Sequence, residues 1–162
     1  MKKILLFLIG VLIVILEGSI VNYINLFGVS INLVLIYITI ITLYLDNVES
    51  ITIAILLGFI RDISIGSIFG VNALILAIVA YGISNLNDKI YKNSYTTILV
   101  LVFISSLIDS VINIIISAMI YQPYGILYTI LKGIFIAPVV NSIGSLVLYY
   151  IFNRSILKLK KD

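Results

Sequence analysis

Five ionisable side chains, Glu17, Arg61, Asp62, Asp109 and Lys132, interrupt otherwise apolar runs. Charges at such positions are costly in a bilayer and usually face a bundle interior or a watery cavity. Membrane-embedded catalysis would have to fall on Asp62, Asp109 or Glu17. No HExxH-like motif and no pair of carboxylates within one run accompanies them. The chain has no His, Cys or Trp, which removes zinc sites built on Cys or His, thiol nucleophiles, disulfides and a His general base. No catalytic residue, metal site or cofactor is expected. One alternative is a solute pocket lined by Glu17, Asp109, Asn113 and Lys132, with Tyr121, Tyr124 and Tyr128 as aromatic walls. An interfacial tyrosine belt explains the same three aromatics.

The elements that would carry these residues are membrane helices. Of 162 residues, 62% are apolar and 10% charged, against about 45–50% and 25% in soluble domains. At roughly 20 residues per crossing, the chain accommodates about six spans in one integral membrane domain, residues 1–162. The runs are Ile4–Val21, Ile31–Leu45, Val48–Gly66, Gly70–Leu86, Tyr95–Ile120 and Ile126–Phe152. Their Ile and Val would also suit strands, but their length decides for helices. The first run follows Lys2 and Lys3 as a signal peptide would, yet lacks a small-x-small cleavage site and precedes further runs. Lys2, Lys3, Lys89, Lys92, Arg154, Lys158, Lys160 and Lys161 fall on one side of a six-span layout, which places both termini in the cytoplasm. The net charge of +3 gives no support for nucleic-acid binding. The basic tail suits membrane lipid headgroups or a positive-inside retention signal.

Counted at 1.5 Å per residue, all five charges lie at or beyond the bilayer midplane on the outer side. Arg61 and Asp62 are adjacent, so their side chains diverge by about 100°. That leaves Lys132 as the expected partner of Asp109 or Asp62, unless Lys132 and Arg61 snorkel to the headgroups. Ser105, Asp109, Asn113 and Ser117 recur every fourth residue along one face. Gly133, Ala137, Asn141 and Ser145 repeat that spacing and read as a helix-packing face. Pro138 removes a backbone donor and is expected to kink its helix.

The most distinctive stretch is Gly58-Phe-Ile-Arg-Asp62-Ile-Ser-Ile-Gly66-Ser-Ile-Phe-Gly70-Val-Asn72. Gly58 and Asp62 share a helix face, which sets a carboxylate beside a close-packing notch. Gly66 and Gly70 suit a tight turn into the next span.

At this segment the chain resembles the MreD family of small integral-membrane proteins of the bacterial rod-shape system. The resemblance rests on Gly58-x-x-x-Asp62, Gly66-Ser67-Ile68-Phe69-Gly70, the apolar run Val71–Val79 and Tyr81-Gly82. It departs from the family at Ile31-Asn32-Leu33, where such chains commonly carry Pro-Asp. What the resemblance implies is a non-enzymatic component of the cell-shape and peptidoglycan elongation complex. Its partners would be MreC, through a transmembrane helix, and, within the same complex, RodA, a class B penicillin-binding protein and MreB. It also implies a fold similar to the six-helix substrate-binding subunit of energy-coupling-factor transporters, which supplies the competing function of solute binding.

Because the chain contains no cysteine, single cysteines test the topology. Cysteines at Asn87 or Lys158 should stay protected from an impermeant thiol reagent in intact cells, and those at Asn25 or Gln122 should react. Labelling at 87 but not at 122 would reverse the orientation.

Overall fold

A computed structural model of the chain describes residues 2–19, 28–66, 68–87, 94–120 and 130–159. The expectations on Tyr121, Tyr124 and Tyr128, on Lys89 and Lys92, and on Lys160 and Lys161 lie outside the described residues. Among those described, the chain forms six α-helices: α1 (Lys2–Ser19), α2 (Leu33–Thr42), α3 (Asn47–Ile65), α4 (Val71–Leu86), α5 (Tyr95–Ile120) and α6 (Ala137–Leu159). A π-helical turn, Lys132–Ile136, leads into α6. The protein is all-α. Tyr95–Met119 and Lys132–Tyr150 are long and apolar enough to cross a membrane by themselves.

The second apolar run, Ile31–Leu45, reads as a full span, but its helix is shorter. Ten residues rise about 15 Å, half the thickness of a bilayer's hydrocarbon core. Asn32 caps the start of α2 through its side chain, and tight bonds from Leu43 and Tyr44 back to Ile40 and Ile41 close its end. Nine of its ten residues are buried, because α2 sits at the centre and packs against each of the other five helices. A helix that is apolar all round belongs in such a position. Its neighbours meet it closely. The Tyr37 hydroxyl donates to the Leu6 carbonyl (2.6 Å), and a side chain at Gly10 would run into Leu57 and Tyr37. A side chain at Gly144 would run into Ile31.

Helices α3 and α4 form the tightest pair. A Cβ at Gly58 would collide with the backbone of α4, at the Cα of Ala73 and 2.6 Å from its nitrogen. Because the obstacle is backbone, no rotamer change can clear it. The reversal between the two helices uses left-handed glycines. Gly66 (φ +70°) ends α3 and donates its N–H to the Asp62 carbonyl, and Gly70 (φ +94°) precedes α4. A Cβ at Gly66 or Gly70 would meet nothing within 4 Å, so these two are required by conformation and Gly58 by space.

Helices α5 and α6 pair along small residues. Gly133 faces Ser110 and Ile114, and the Asn141 amide donates to Ser106 Oγ (2.7 Å). Just before Pro138, where a kink is expected, the helix carries a π-turn. There the Ala137 N–H reaches back five residues to the Lys132 carbonyl. Widening one turn accommodates the missing proline donor without breaking the helix.

Gly58→Leu should destabilise the fold by about 1–3 kcal/mol through overpacking, and Gly66→Ala by about 1 kcal/mol through backbone conformation alone. Thermal unfolding in mild detergent measures both. Equal, negligible shifts would mean that α3 and α4 do not meet at Gly58.

Candidate functional site

Starting α2 at this level creates a problem that the polar residues solve. The first N–H groups of a helix have no intrahelical acceptor, and in hydrocarbon each unsatisfied group costs several kcal/mol. Glu17, on α1 and 1% exposed, accepts from the Val34 N–H through Oε2 (2.9 Å). Asn32 Oδ1 accepts from the Leu35 N–H (3.0 Å), and Asn141 on α6 accepts the N–H of Asn32 itself (2.8 Å). Three side chains from three parts of the fold therefore close one helix start. A carboxylate there also complements the positive end of the helix dipole.

The start of α4 is closed in the same way. Its preceding residue is Gly70, which has no side chain to offer. Asp62, on α3 and 2% exposed, takes over. Its Oδ2 accepts from the Gly70 N–H (2.9 Å), and its Oδ1 accepts from the Asn72 N–H (3.1 Å) and the Asn72 amide (2.7 Å). The Gly58 contact brings α4 close enough for this four-residue-spaced carboxylate to reach.

Arg61 joins the two caps. Its Nε and Nη2 donate to Glu17 Oε1 at 2.9 and 2.7 Å, and its Nη1 donates to Asn72 Oδ1 (2.5 Å). The result is a continuous path from the start of α2 through Glu17, Arg61 and Asn72 to Asp62 at the start of α4. Asp109 extends it from the other side, accepting from Asn32 Nδ2 (3.3 Å) and from Asn113 Nδ2 (3.1 Å). Glu17, Arg61 and Asp109 each lie fourteen residues beyond Lys3, Asn47 and Tyr95, residues near the starts of α1, α3 and α5, about 21 Å along those helices. The polar groups form one layer.

The structure brings Glu17, Arg61, Asp62, Asp109 and Asn72 together, with Gly58, Gly66 and Gly70 shaping the turn beside them. Lys132 is placed differently from expectation. It donates to the carbonyl of Gly28 (3.3 Å), while Asp109 is held by Asn32 and Asn113 and the ion pair falls on Glu17 and Arg61. Helix geometry explains the exchange: Arg61 points away from its sequence neighbour Asp62 and toward α1. The spaced faces also divide. Ser105 and Ser106 are buried, Ser105 accepting from Thr39 (3.3 Å), whereas Asn113 is exposed. In the other stripe, Asn141 and Ser145 are buried and Ala137 is half-buried. Ser106 is absent from the sequence reading, and Asn32 figures there only as the departure from Pro-Asp. The signal for Asn32 was an N-cap residue type immediately before an apolar run.

The oxygens of Glu17 and Asp62 are turned to backbone amides and to Arg61 or Asn72, and Lys132 to a backbone carbonyl. Chemically, the arrangement holds helix starts in place. A family model described as rod shape-determining protein MreD matches residues 1–152. Comparisons with curated proteins and with solved structures gave no match.

A buried pair that loses one member leaves an unpaired charge, at a cost of about 3–5 kcal/mol, while removing both is often near neutral. Glu17→Gln and Arg61→Met should each lower thermal stability strongly, and the double variant should recover part of the loss. In the same assay Asp109→Asn and Lys132→Met should be additive, because the two residues bond to different groups. Additive losses at Glu17 and Arg61 would remove the ion pair from the account.

Proposed function

The chain belongs to the MreD family of rod shape-determining proteins, and we propose that it acts there as a non-enzymatic scaffold that docks a partner's transmembrane helix. Membership makes it a membrane protein of the rod-shape system. The finer reading is that it holds MreC directly, in a groove between its own helices, and through that complex RodA, a class B penicillin-binding protein and MreB. The layout that goes with this reading is multi-pass in the bacterial cytoplasmic membrane, with both termini cytoplasmic.

One observation carries the reading. The intramembrane charges are spent on fixing the starts of α2 and α4 and on tying α1 to α3, which makes a rigid body out of short helices. What such a body offers outward is apolar helix surface, such as Val111, Ile115 and Met119 on α5 and Val139, Ile143 and Val147 on α6, all well exposed. Association of helices in lipid depends on packing and on occasional hydrogen bonds, and a fixed backbone lowers the ordering cost of forming that packing. Of the four residues expected to line a solute pocket, Glu17 is instead taken up by the Val34 amide and by Arg61.

Purification of the tagged protein from its native membrane in mild detergent tests the proposal. MreC should be retained in a stable ratio. Leucine-to-tryptophan and alanine-to-tryptophan scanning of the exposed faces of α1, α5 and α6 should find one face where the added bulk releases it. Loss of MreC from the wild-type preparation, with a small solute retained in its place, would overturn the scaffold reading.

A further inference from the structure

Asp109 is satisfied differently from the other carboxylates of the polar layer. Glu17 holds a backbone N–H and the Arg61 guanidinium, and Asp62 holds the N–H groups of Gly70 and Asn72. Asp109 has the side-chain amides of Asn32 and Asn113, which fill about half of a carboxylate's acceptor positions. It is half-buried, in the middle of the long apolar α5. Asn113 is exposed one turn further along, and no donor among the described residues reaches its Oδ1.

A carboxylate within a span is costly without a counter-charge, and among the described residues no cation bonds to Asp109. Arg61 directs Nε, Nη1 and Nη2 at Glu17 and Asn72, and Lys132 bonds to the Gly28 carbonyl. Residues 20–27 and 121–129, on the connections that precede α2 and follow α5, contain no Lys or Arg. Asn113 also lines a groove of about 230 Å³, with Ile116 and Ser117 beside it on α5 and Ile68, Val71 and Asn72 across from it. That is less than the roughly 300–1,000 Å³ of small-molecule sites, and it suits one long side chain. A second copy docked symmetrically on this face would bring like charges together. A guanidinium fits better: it is always charged and donor-only, with N–H groups enough to fork onto a carboxylate while another reaches an amide oxygen.

We propose that a partner's transmembrane helix lies across α4 and α5 and passes an arginine side chain through this groove, its guanidinium forking onto Asp109 and reaching Asn113 Oδ1. The inference rests on the scaffold reading and adds to it the docking face and the group that is recognised.

Photoreactive p-benzoyl-phenylalanine, placed singly in the full chain in its native membrane, tests this. Two sites, Val71 and Ser117, flank the groove, and two others, Leu12 and Ile143, lie on exposed faces of α1 and α6. Captured peptides are sequenced by mass spectrometry. Support is capture at Val71 and Ser117 of another protein's transmembrane segment that contains an arginine, with a yield that falls about tenfold in Asp109→Asn and persists in Asp109→Glu. Asp109→Arg combined with Asp at the captured arginine should restore the yield that either change alone removes. Asn113→Leu, at an exposed position, should also lower it and carries the test if Asp109→Asn does not fold. A captured segment without arginine, a second copy of this chain, or indifference to the variant that carries the test would overturn the proposal. Capture at Leu12 or Ile143 but not beside the groove removes this inference and leaves the scaffold reading standing, whereas no protein captured at any of the four sites removes both.

Discussion

A helix whose start is buried must find acceptors for its first amides inside the protein. In this chain that requirement falls on α2, and much of the architecture follows from it. Water would satisfy those amides at an exposed start, but Val34 and Leu35 are fully buried, and there side chains take its place. Glu17, Asn32 and Asn141 come from α1, from the segment leading into α2, and from α6. Each therefore has to arrive at the same level as the Val34 amide. Meeting that demand fixes the relative heights of the helices that supply them.

The use of a carboxylate as a cap creates a second demand, since a buried charge needs a partner. Arg61 supplies it from α3, and its remaining donor is taken by Asn72 on α4. Asn72 is itself held by Asp62, which closes the start of α4. Two helix starts and one ion pair thus share a single network. Such a network is costly if any member is missing and rigid when complete. The same logic accounts for Gly58: unless α3 and α4 touch backbone to backbone, Asp62 cannot reach the amides of Gly70 and Asn72.

Rigidity of this kind bears on what a member of a rod-shape family can do with so short a chain. With the polar groups turned inward onto backbone, the docking proposed for it would fall to shape and apolar surface. The end of the bundle away from the polar layer differs. There the polar side chains that line a pocket, Asp46, Asn47 and Asn85, are exposed.

The sequence by itself determined the class of protein and the local grammar of its key turn. Apolar runs too long for strands made it an all-α membrane protein, and the four-residue spacing of Gly58, Asp62, Gly66 and Gly70 set a carboxylate and a notch on one face with a glycine turn after them. These are local properties, governed by helix period and backbone freedom. Pairing was not legible. Glu17 and Arg61 are far apart in the chain, Lys132 was an equally plausible base by depth, and only the packing of α1 against α3 chose between them. The length of α2 was hidden for a related reason. An apolar run shows that a segment is buried, but whether lipid or other helices bury it depends on neighbours the run does not contain. Asn32 marked where that helix could begin. The fold decided that it would begin there, because Glu17 and Asn141 converge on the same amides once the other helices are in place.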